Sequence, residues 1–248
     1  DVVAKKLQDM KSGNICIVNA ADMRDLNVVA LAMLTLQHNY GKNYLIRSSA
    51  SFVRSRLGQE ERPILTKKEM GYTREGGALI LVGSHVPGST AQLESLLNLP
   101  DVYGLELDVH KVLQYDKEQI ISIIEQTDRL LSESKDIVIY TSREVITGSS
   151  PDEYLKIGAT ITDAITKIVS GITVTPRYLI SKGGMTSSNI IANALKIKRA
   201  TVPGQISSGV LVLQLGLESK YPGSKLILWP GNVGGPTAIS DVVMRMRT

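Results

Sequence analysis

This sequence of 248 residues contains one cysteine, and it has neither a segment that could span a bilayer nor a secretion signal at its start. Its single cysteine, Cys16, cannot form an internal disulfide, and the apolar run around it predicts a buried, unreactive thiol. No apolar run approaches the roughly 20 residues that span a bilayer, and the first residues lack the apolar stretch of a secretion signal. These absences favour a cytoplasmic protein without a membrane partner.

Strong net charge and aromatic side chains are also scarce. The net charge is +4, with 28 basic and 24 acidic residues scattered along the chain, and aromatic residues make up 4%. No basic block interleaved with aromatics occurs, so a nucleic-acid partner is not expected. His38 and His110 lack the spacing of metal ligands, and His85 is interpreted as a surface residue of a turn or, less commonly, a ligand contact.

Short apolar runs rich in β-branched residues alternate with longer amphipathic stretches along the whole chain. Such alternation indicates the α/β class, with a largely parallel sheet covered by helices on both faces. The clearest helices are predicted at 22–40, 116–134 and 151–170, where Asp22 and Ser150 are the cap residues. Strands are predicted near 14–19, 43–47, 78–83, 103–107, 136–141, 177–181, 199–202, 209–214 and 225–229.

The stretch from 58 to 77 is polar and has neither a helical nor a strand period, which is typical of a linker. It separates an N-terminal α/β portion with two predicted strands from a larger unit of normal domain size. Two strands and two helices rarely form a stable core, so the first portion is interpreted as incomplete. We place the domain boundary between residues 1–70 and 71–248.

The segment 178–192 carries the most information about function. An apolar run ends at Gly183 and Gly184, passes Thr186, Ser187 and Ser188, and becomes an apolar pattern of helical period. Backbone amides at a helix start lack internal partners and lie at the positive end of the helix dipole, and glycines let a ligand approach closely. The pattern therefore suits a phosphate. A capped turn without any ligand is the alternative.

Two further glycine turns follow predicted strands. The segment 83–90 nearly matches the Walker A pattern, but Ser89 replaces its lysine. This departure argues against an ordinary P-loop NTPase and leaves a phosphate or ribose contact by Ser84 open. The segment 226–237 ends its strand in three glycines that begin at Gly231. Because parallel strands end at one edge of a sheet, the three turns can surround one crevice, which predicts a nucleotide site.

The motifs resemble the four-carbon acid sugar kinase family, which includes 3-oxo-tetronate and threonate kinases. The resemblance rests on Gly-Ser and Thr-Ala-Gln within 83–92, Lys-Gly-Gly-x-Thr-Ser-Ser at 182–188, Gly-Gln-x-x-x-Gly-Val at 204–210, Gly-x-Glu-Ser-x-x-Pro-Gly at 216–223 and Pro-Gly-Asn-Val-Gly at 230–234. It extends upstream to Asn-Ala at 19–20 and Arg-Ser-Ser-Ala-Ser-Phe at 47–52. Residues 71–248 are thus similar to the family's nucleotide-binding domain, and 1–70 to the end of its substrate-binding domain.

The resemblance implies ATP-dependent transfer of a phosphate to a hydroxyl of a four-carbon sugar acid, with Mg²⁺ as the cation and a homodimer as an expected assembly. The implied nucleotide contacts are Ser84, Gly183, Gly184, Met185, Thr186 and Gly231. Arg47, expected at a strand end ahead of a helix, is a candidate for the substrate carboxylate, although solvated arginines are commoner. No catalytic residue and no magnesium ligand is identifiable.

Two alternatives to the kinase remain open. The family's Asp-Asp-x-Thr-Gly-Ala motif is absent from these residues, and Met185 stands where many members carry an acidic residue. Further departures occur at Ser208, Leu211, Leu213 and Leu217. A nucleotide-binding module without catalysis would explain these departures. Otherwise the turns bind a different phosphorylated ligand or are purely structural, because a shared fold does not imply a shared function.

Overall fold

The computed structural model describes residues 2–71, 75–144, 146 and 150–247. Contacts between residues divide the chain into two compact units, Asp1–Arg62 and Pro63–Thr248. Among the described residues, no helix is both long and apolar enough to cross a membrane. The predicted boundary divides a substrate-binding portion, 1–70, from a nucleotide-binding domain, 71–248. This division by function stays a prediction.

The first unit is built from three helices in its described part, α1 (Val2–Asp9), α2 (Met23–Tyr40) and α3 (Ala50–Arg56). Asp22 caps α2 as predicted, because its carboxylate accepts hydrogen bonds from the backbone N–H groups of Arg24 and Asp25. The helix ends at Gly41, whose φ of 63° lies in the left-handed region. The apolar faces enclose a small core of Leu7, Val29, Ala30, Ala32, Met33, Leu36 and Phe52.

The prediction of two strands in this unit is wrong. Residues 14–19 and 43–47 lie in segments without regular structure, and most of their apolar side chains are exposed, Ile15 to 91%. A strand persists only where its backbone groups pair with a neighbouring strand, and the described part of this unit contains no such pair. Cys16 is exposed as well, so the prediction of a buried thiol is also wrong.

The second unit contains a seven-stranded sheet, and the seven strands predicted in it are confirmed. In spatial order the strands run β2-β3-β1-β4-β7-β6-β5. The first five in that order are parallel, whereas β6 is antiparallel to β7 and to β5. Their bounds are β1 (Leu79–Val82), β2 (Val102–Leu107), β3 (Asp136–Thr141), β4 (Leu179–Lys182), β5 (Ala200–Ser207), β6 (Val210–Leu215) and β7 (Lys225–Trp229).

Helices cover both faces of this sheet, which confirms the predicted α/β class. Side chains alternate along each strand, so Leu79 and Leu81 of β1 pack on one face and Ile80 and Val82 on the other. The helices are α4 (Lys67–Met70), α5 (Pro87–Leu97), α6 (Val109–Leu113), α7 (Lys117–Ser132), α8 (Pro151–Gly171), α9 (Gly184–Asn189) with a π-helical turn at Ile190–Ala194, and α10 (Ala238–Arg247). Those predicted at 116–134 and 151–170 are α7 and α8, and Ser150 caps α8 as predicted.

Part of the predicted linker is ordered against the second unit. Leu65 and Met70 are buried in the same core cluster as Ile80, and the Leu65 N–H donates to the Gln205 carbonyl at 2.7 Å. Between them, Thr66 forms a capping box with Glu69 and starts α4. The polar residues of this stretch are therefore the exposed side of a packed segment. Residues 72–74 of the stretch lie outside the described chain.

Candidate functional site

The strands β1 and β4 are parallel neighbours whose following helices leave toward opposite faces of the sheet. After β1, α5 buries Leu93 and Leu96 on one face, and after β4, the π-helical turn buries Ile190 and Ala194 on the other. Diverging connections open a crevice at the carboxyl ends of the two strands. In open α/β sheets, ligands bind at such a topological switch point.

The glycine turns that follow β1 and β4 are in close contact at this crevice. A Cβ at Gly83 would lie 2.6 Å from the Thr186 Oγ1, so only glycine allows the turns to approach this closely. Gly183 has a φ of 103°, a conformation that side-chain-bearing residues rarely adopt, and its N–H donates to the Trp229 carbonyl at 3.0 Å. The two turns are 100 residues apart in the sequence. They meet because Val82, at the end of β1, is paired in register with Lys182, at the end of the parallel strand β4.

The three hydroxyl residues after Gly183 have different environments. Ser187 is buried, and its hydroxyl donates to the Ser181 hydroxyl at 2.8 Å, so it has a structural role. Ser188 is exposed. Thr186 is nearly buried and lines a cavity together with Gly183. Thr186 is thus the hydroxyl residue of this motif that is placed to meet a ligand.

A cavity of about 260 Å³ lies between α8 and the two glycine turns. One wall is polar and consists of Gly83, Ser84, His85, Thr141, Ser142, Glu144, Gly183 and Thr186, together with Met185. The other part of its lining is mostly apolar and consists of Val109, Ile146, Tyr154, Leu155, Ile157, Gly158, Ile161, Thr162 and Ile165. This arrangement suits a ligand that joins an apolar ring to a polar or anionic tail.

Two partly or fully buried cations lie behind the polar turns. Arg143 donates to the Ser84 carbonyl at 2.7 Å and to the Thr141 hydroxyl at 2.9 Å, which fixes the turn after β1. Lys182 donates to the carbonyls of Gly231 at 3.2 Å and Pro230 at 3.4 Å. Burial lowers the pKa of both side chains, because a low-polarity environment disfavours the charged form. The positive charges favour an anionic ligand at this edge of the sheet.

Acidic side chains are few around the cavity. Glu144 is the carboxylate in the part of the wall that the structure describes, and it lies 3.0 Å from the Nε2 of His110. This hydrogen bond to a carboxylate raises the pKa of His110. The described residues bring no group of three or more acidic, histidine or cysteine side chains together as a metal site. The few carboxylates and the buried cations among the described residues suit an anionic ligand.

The sequence of this unit matches one family model, the nucleotide-binding C-terminal domain, over residues 79–239. The chain belongs to this family. The match extends from the first residue of β1 into α10 and includes all three glycine turns. It confirms the family that the sequence motifs resemble, and the crevice is accordingly that of a nucleotide-binding domain.

Solved structures share this fold at low sequence identity. A Haemophilus influenzae protein matches with 18% identity and a TM-score of 0.60, over 92% of this chain and 53% of its own. A Salmonella typhimurium LT2 protein matches with 18% identity and a TM-score of 0.56, over 92% and 50%. A domain of unknown function from Bordetella bronchiseptica, a domain-swapped dimer with bound citrate, matches with 14% identity and a TM-score of 0.51, over 94% and 52%. The chain thus spans about half the length of these proteins. None of the curated proteins is significantly similar in sequence to it.

Four of the predicted nucleotide contacts lie together in the cavity wall of the nucleotide-binding domain: Ser84, Gly183, Met185 and Thr186. Gly184 lies between Gly183 and Met185 at the start of α9, but it is exposed and is not one of the residues that line the cavity. Gly231 also lies outside the wall, on the turn after β7 that Lys182 holds. His85 lines the cavity, which favours the less common of its two interpretations, a ligand contact, over a surface residue of a turn. Contact of any of these residues with a nucleotide remains a prediction.

Arg47 belongs to the first compact unit. It is exposed in an irregular segment ahead of α3, so its predicted position at a strand end is wrong. The strand predicted at 43–47 does not form, because the described part of the unit contains no neighbouring strand with which it could pair. Its predicted role as a substrate contact is a separate matter and remains a prediction.

Sequence reasoning missed several residues of the site. Lys182 belongs to the motif at 182–188, but the motif assigns it no role, and its burial and its contacts with the Gly231 turn become visible only in the structure. Arg143 follows the apolar strand β3. Ile161 and Ile165 of the apolar wall are four residues apart, the spacing of one helix face. That spacing indicates a buried stripe, but not that one end of it lines a cavity.

Proposed function

We propose that the chain supplies the nucleotide-binding domain of an ATP-dependent kinase that phosphorylates a four-carbon sugar acid of the threonate or 3-oxo-tetronate type. The supporting observation is the cavity at the switch point between β1 and β4, which joins an apolar wall to two glycine turns. Its occurrence in a family of nucleotide-binding domains supports a nucleotide as the ligand. A cytoplasmic location is part of the same proposal.

In this proposal, adenine packs against the apolar wall formed by Ile161, Ile165 and the first turns of α8. The ribose lies near Ser84, and the phosphates extend toward the backbone amides that follow Gly183. This orientation matches each part of ATP to the wall of its own polarity. It also directs the terminal phosphate toward the Gly231 turn.

Phosphoryl transfer depends chiefly on positioning and on neutralising the charge of the phosphates. The buried cations Lys182 and Arg143 and the amides of the glycine turns supply positive potential here. Mg²⁺ binds phosphate oxygens and water and needs only one or two carboxylates. The cavity wall offers Glu144 as such a carboxylate, so the described residues are compatible with Mg²⁺ carried in by ATP.

The sugar acid would be bound by the substrate-binding domain, the end of which residues 1–70 resemble. Arg47 of this portion would contact the carboxylate of the sugar acid. A guanidinium fits a carboxylate through two parallel hydrogen bonds. The citrate bound by the Bordetella bronchiseptica domain is a carboxylic acid bound by a protein of this fold, which supports an acidic substrate. The same protein is a domain-swapped dimer, which supports a homodimer here.

A nucleotide-binding module without catalysis is the second candidate. The observation that favours it is Met185, which lines the cavity with 64% of its surface exposed at a position where many kinases of the family carry an acidic residue. Its thioether cannot bind Mg²⁺ as a carboxylate does. Restoring acidity with Met185→Glu in a full-length protein distinguishes the candidates, because only the inactive module would gain activity from it.

Isothermal titration calorimetry with ATP, ADP and adenosine tests the nucleotide site. We expect all three to bind, with ATP and ADP tighter than adenosine because the turns contact phosphates. Phosphorylation of threonate and 3-oxo-tetronate by the full-length protein tests the kinase. Failure of the chain to bind any of the three ligands would contradict the proposal.

A further inference from the structure

The loop 230–235 after β7 has most of its carbonyl groups directed inward. Lys182 donates to the carbonyls of Pro230 and Gly231 at 3.4 and 3.2 Å. Gln92 of α5 donates through its Nε2 to the carbonyls of residues 233, 234 and 235 at 3.1, 3.1 and 2.9 Å. Lys182 is fully buried and Gln92 nearly so, and therefore these carbonyls face the protein interior.

Peptide geometry then fixes the direction of the amides in this loop. In a trans peptide, the N–H of one residue points opposite to the carbonyl of the residue before it. Because the carbonyls of Pro230 and Gly231 face the buried ammonium, the N–H groups of Gly231 and Asn232 point toward the surface. Neither N–H donates to any residue that the structure describes, whereas the next one, from Val233, closes the turn onto Pro230 at 3.5 Å. Successive free amides of this kind form an anion-binding concavity.

The charge of Lys182 strengthens this concavity. No carboxylate of the described residues forms an ion pair with Lys182, and burial lowers the pKa of its ammonium. Its strand neighbours in register are Val82 and Trp229, neither of which titrates. A buried cation whose partners are only carbonyl dipoles is stabilised when an anion binds nearby.

We propose that Lys182 and Gln92 hold the 230–235 loop so that its outward amides bind a phosphate group of the nucleotide, and that Lys182 replaces the charge of the lysine missing at Ser89. Lys182 is a positioning residue, because the Gly231 and Pro230 carbonyls lie between its ammonium and the surface. The inference rests on the nucleotide site proposed above and assigns the phosphate end of that site to this loop.

The test compares Lys182→Met with Lys220→Met by calorimetry. Lys220 is a matched control, because it also donates to two carbonyls, those of Val169 and Ser170 at the end of α8, and its pKa is also lowered by burial. We expect Lys182→Met to weaken ADP binding by about tenfold or more and to change adenosine binding by less than about twofold. Lys220→Met should change neither.

The pH profile separates an electrostatic role from simple packing. Phosphate binding favours the charged lysine, so ADP affinity should be full below the lowered pKa of Lys182 and fall as pH rises through it. Lys182→Met should remove this fall. Gln92→Leu should also weaken ADP more than adenosine, and it serves as the second variant if Lys182→Met does not fold.

The outcomes separate this inference from the proposed function. Equal ADP affinity in folded Lys182→Met and the unmodified chain, or equal losses for ADP and adenosine, would overturn the inference alone. Absence of ADP binding by the unmodified chain would overturn both.

Discussion

The exposed glycine at the start of α9 allows a sharp test of where the phosphates bind. A Cβ built on Gly184 meets no atom within 4 Å, so the Gly184→Asp variant should fold. A carboxylate at the first position of a helix also interacts favourably with the helix dipole, by about 0.3–1 kcal/mol. Stability should therefore be unchanged or slightly higher, and any loss of nucleotide binding must come from the ligand.

The size of that loss follows from the charges. Two unit charges about 4 Å apart repel by about 1 kcal/mol in water and by about 4 kcal/mol near a protein surface. Gly184 is exposed, so the lower part of this range applies. Since about 1.4 kcal/mol is a factor of ten, a repulsion of about 1–2 kcal/mol should raise the dissociation constant of ADP by about five- to thirtyfold. Adenosine, which has no phosphate, should bind nearly as before.

Calorimetry with ADP and adenosine measures both effects, and circular dichroism checks the fold. Gly184→Asn is the matched control, since it adds a side chain of the same size without the charge. An unchanged ADP affinity in folded Gly184→Asp would refute the placement of phosphate at these amides. Equal losses in the Asp and Asn variants would show that the effect is steric.

Three other predictions follow from the same structure. Gly83→Ala should lower the free energy of unfolding by about 1–3 kcal/mol, because its Cβ would lie 2.6 Å from the Thr186 Oγ1, and thermal denaturation measures this; an unchanged melting temperature would mean that the two turns can separate freely. Residues 1–248 alone should not phosphorylate threonate or 3-oxo-tetronate at an appreciable rate, because the Asp-Asp-x-Thr-Gly-Ala motif expected on the sugar-acid side of the site does not occur in them, and a coupled kinase assay that found robust turnover would disprove this. In the full-length enzyme, Arg47→Lys should raise the KM for the sugar acid and leave that for ATP nearly unchanged, since lysine keeps the charge but loses the two-pronged geometry, whereas equal effects on both would assign Arg47 to the solvated surface.

Local sequence signals were sufficient for the capped helices α2 and α8 and for the strands of the second unit. Ser150 and Asp22 mark helix starts through hydrogen bonds to residues two or three positions away, so the sequence alone identifies them. The strands β1 and β3 are buried on both faces and contain the uninterrupted apolar runs 79–82 and 137–140, by which the sequence identifies them. The crevice also follows from sequence, because all three glycine turns end parallel strands.

Features that depend on distant partners were not predictable in the same way. The segments around Ile15 and Leu45 have strand-like composition, yet strand formation needs a neighbour that composition cannot reveal. The burial of Met70 depends on the sheet, although its sequence neighbours are polar. The inward carbonyls of the 230–235 loop depend on Lys182 and Gln92, which lie about 50 and 140 residues earlier in the chain.

A crystal structure of the chain with ADP would test the central claim most directly. The account predicts the adenine against Ile161 and Ile165 in the cavity beside α8, with the phosphates over the amides that follow Gly183 and toward the Gly231 turn. ADP bound elsewhere on the second unit, or a crevice that stays empty at saturating ADP, would contradict it.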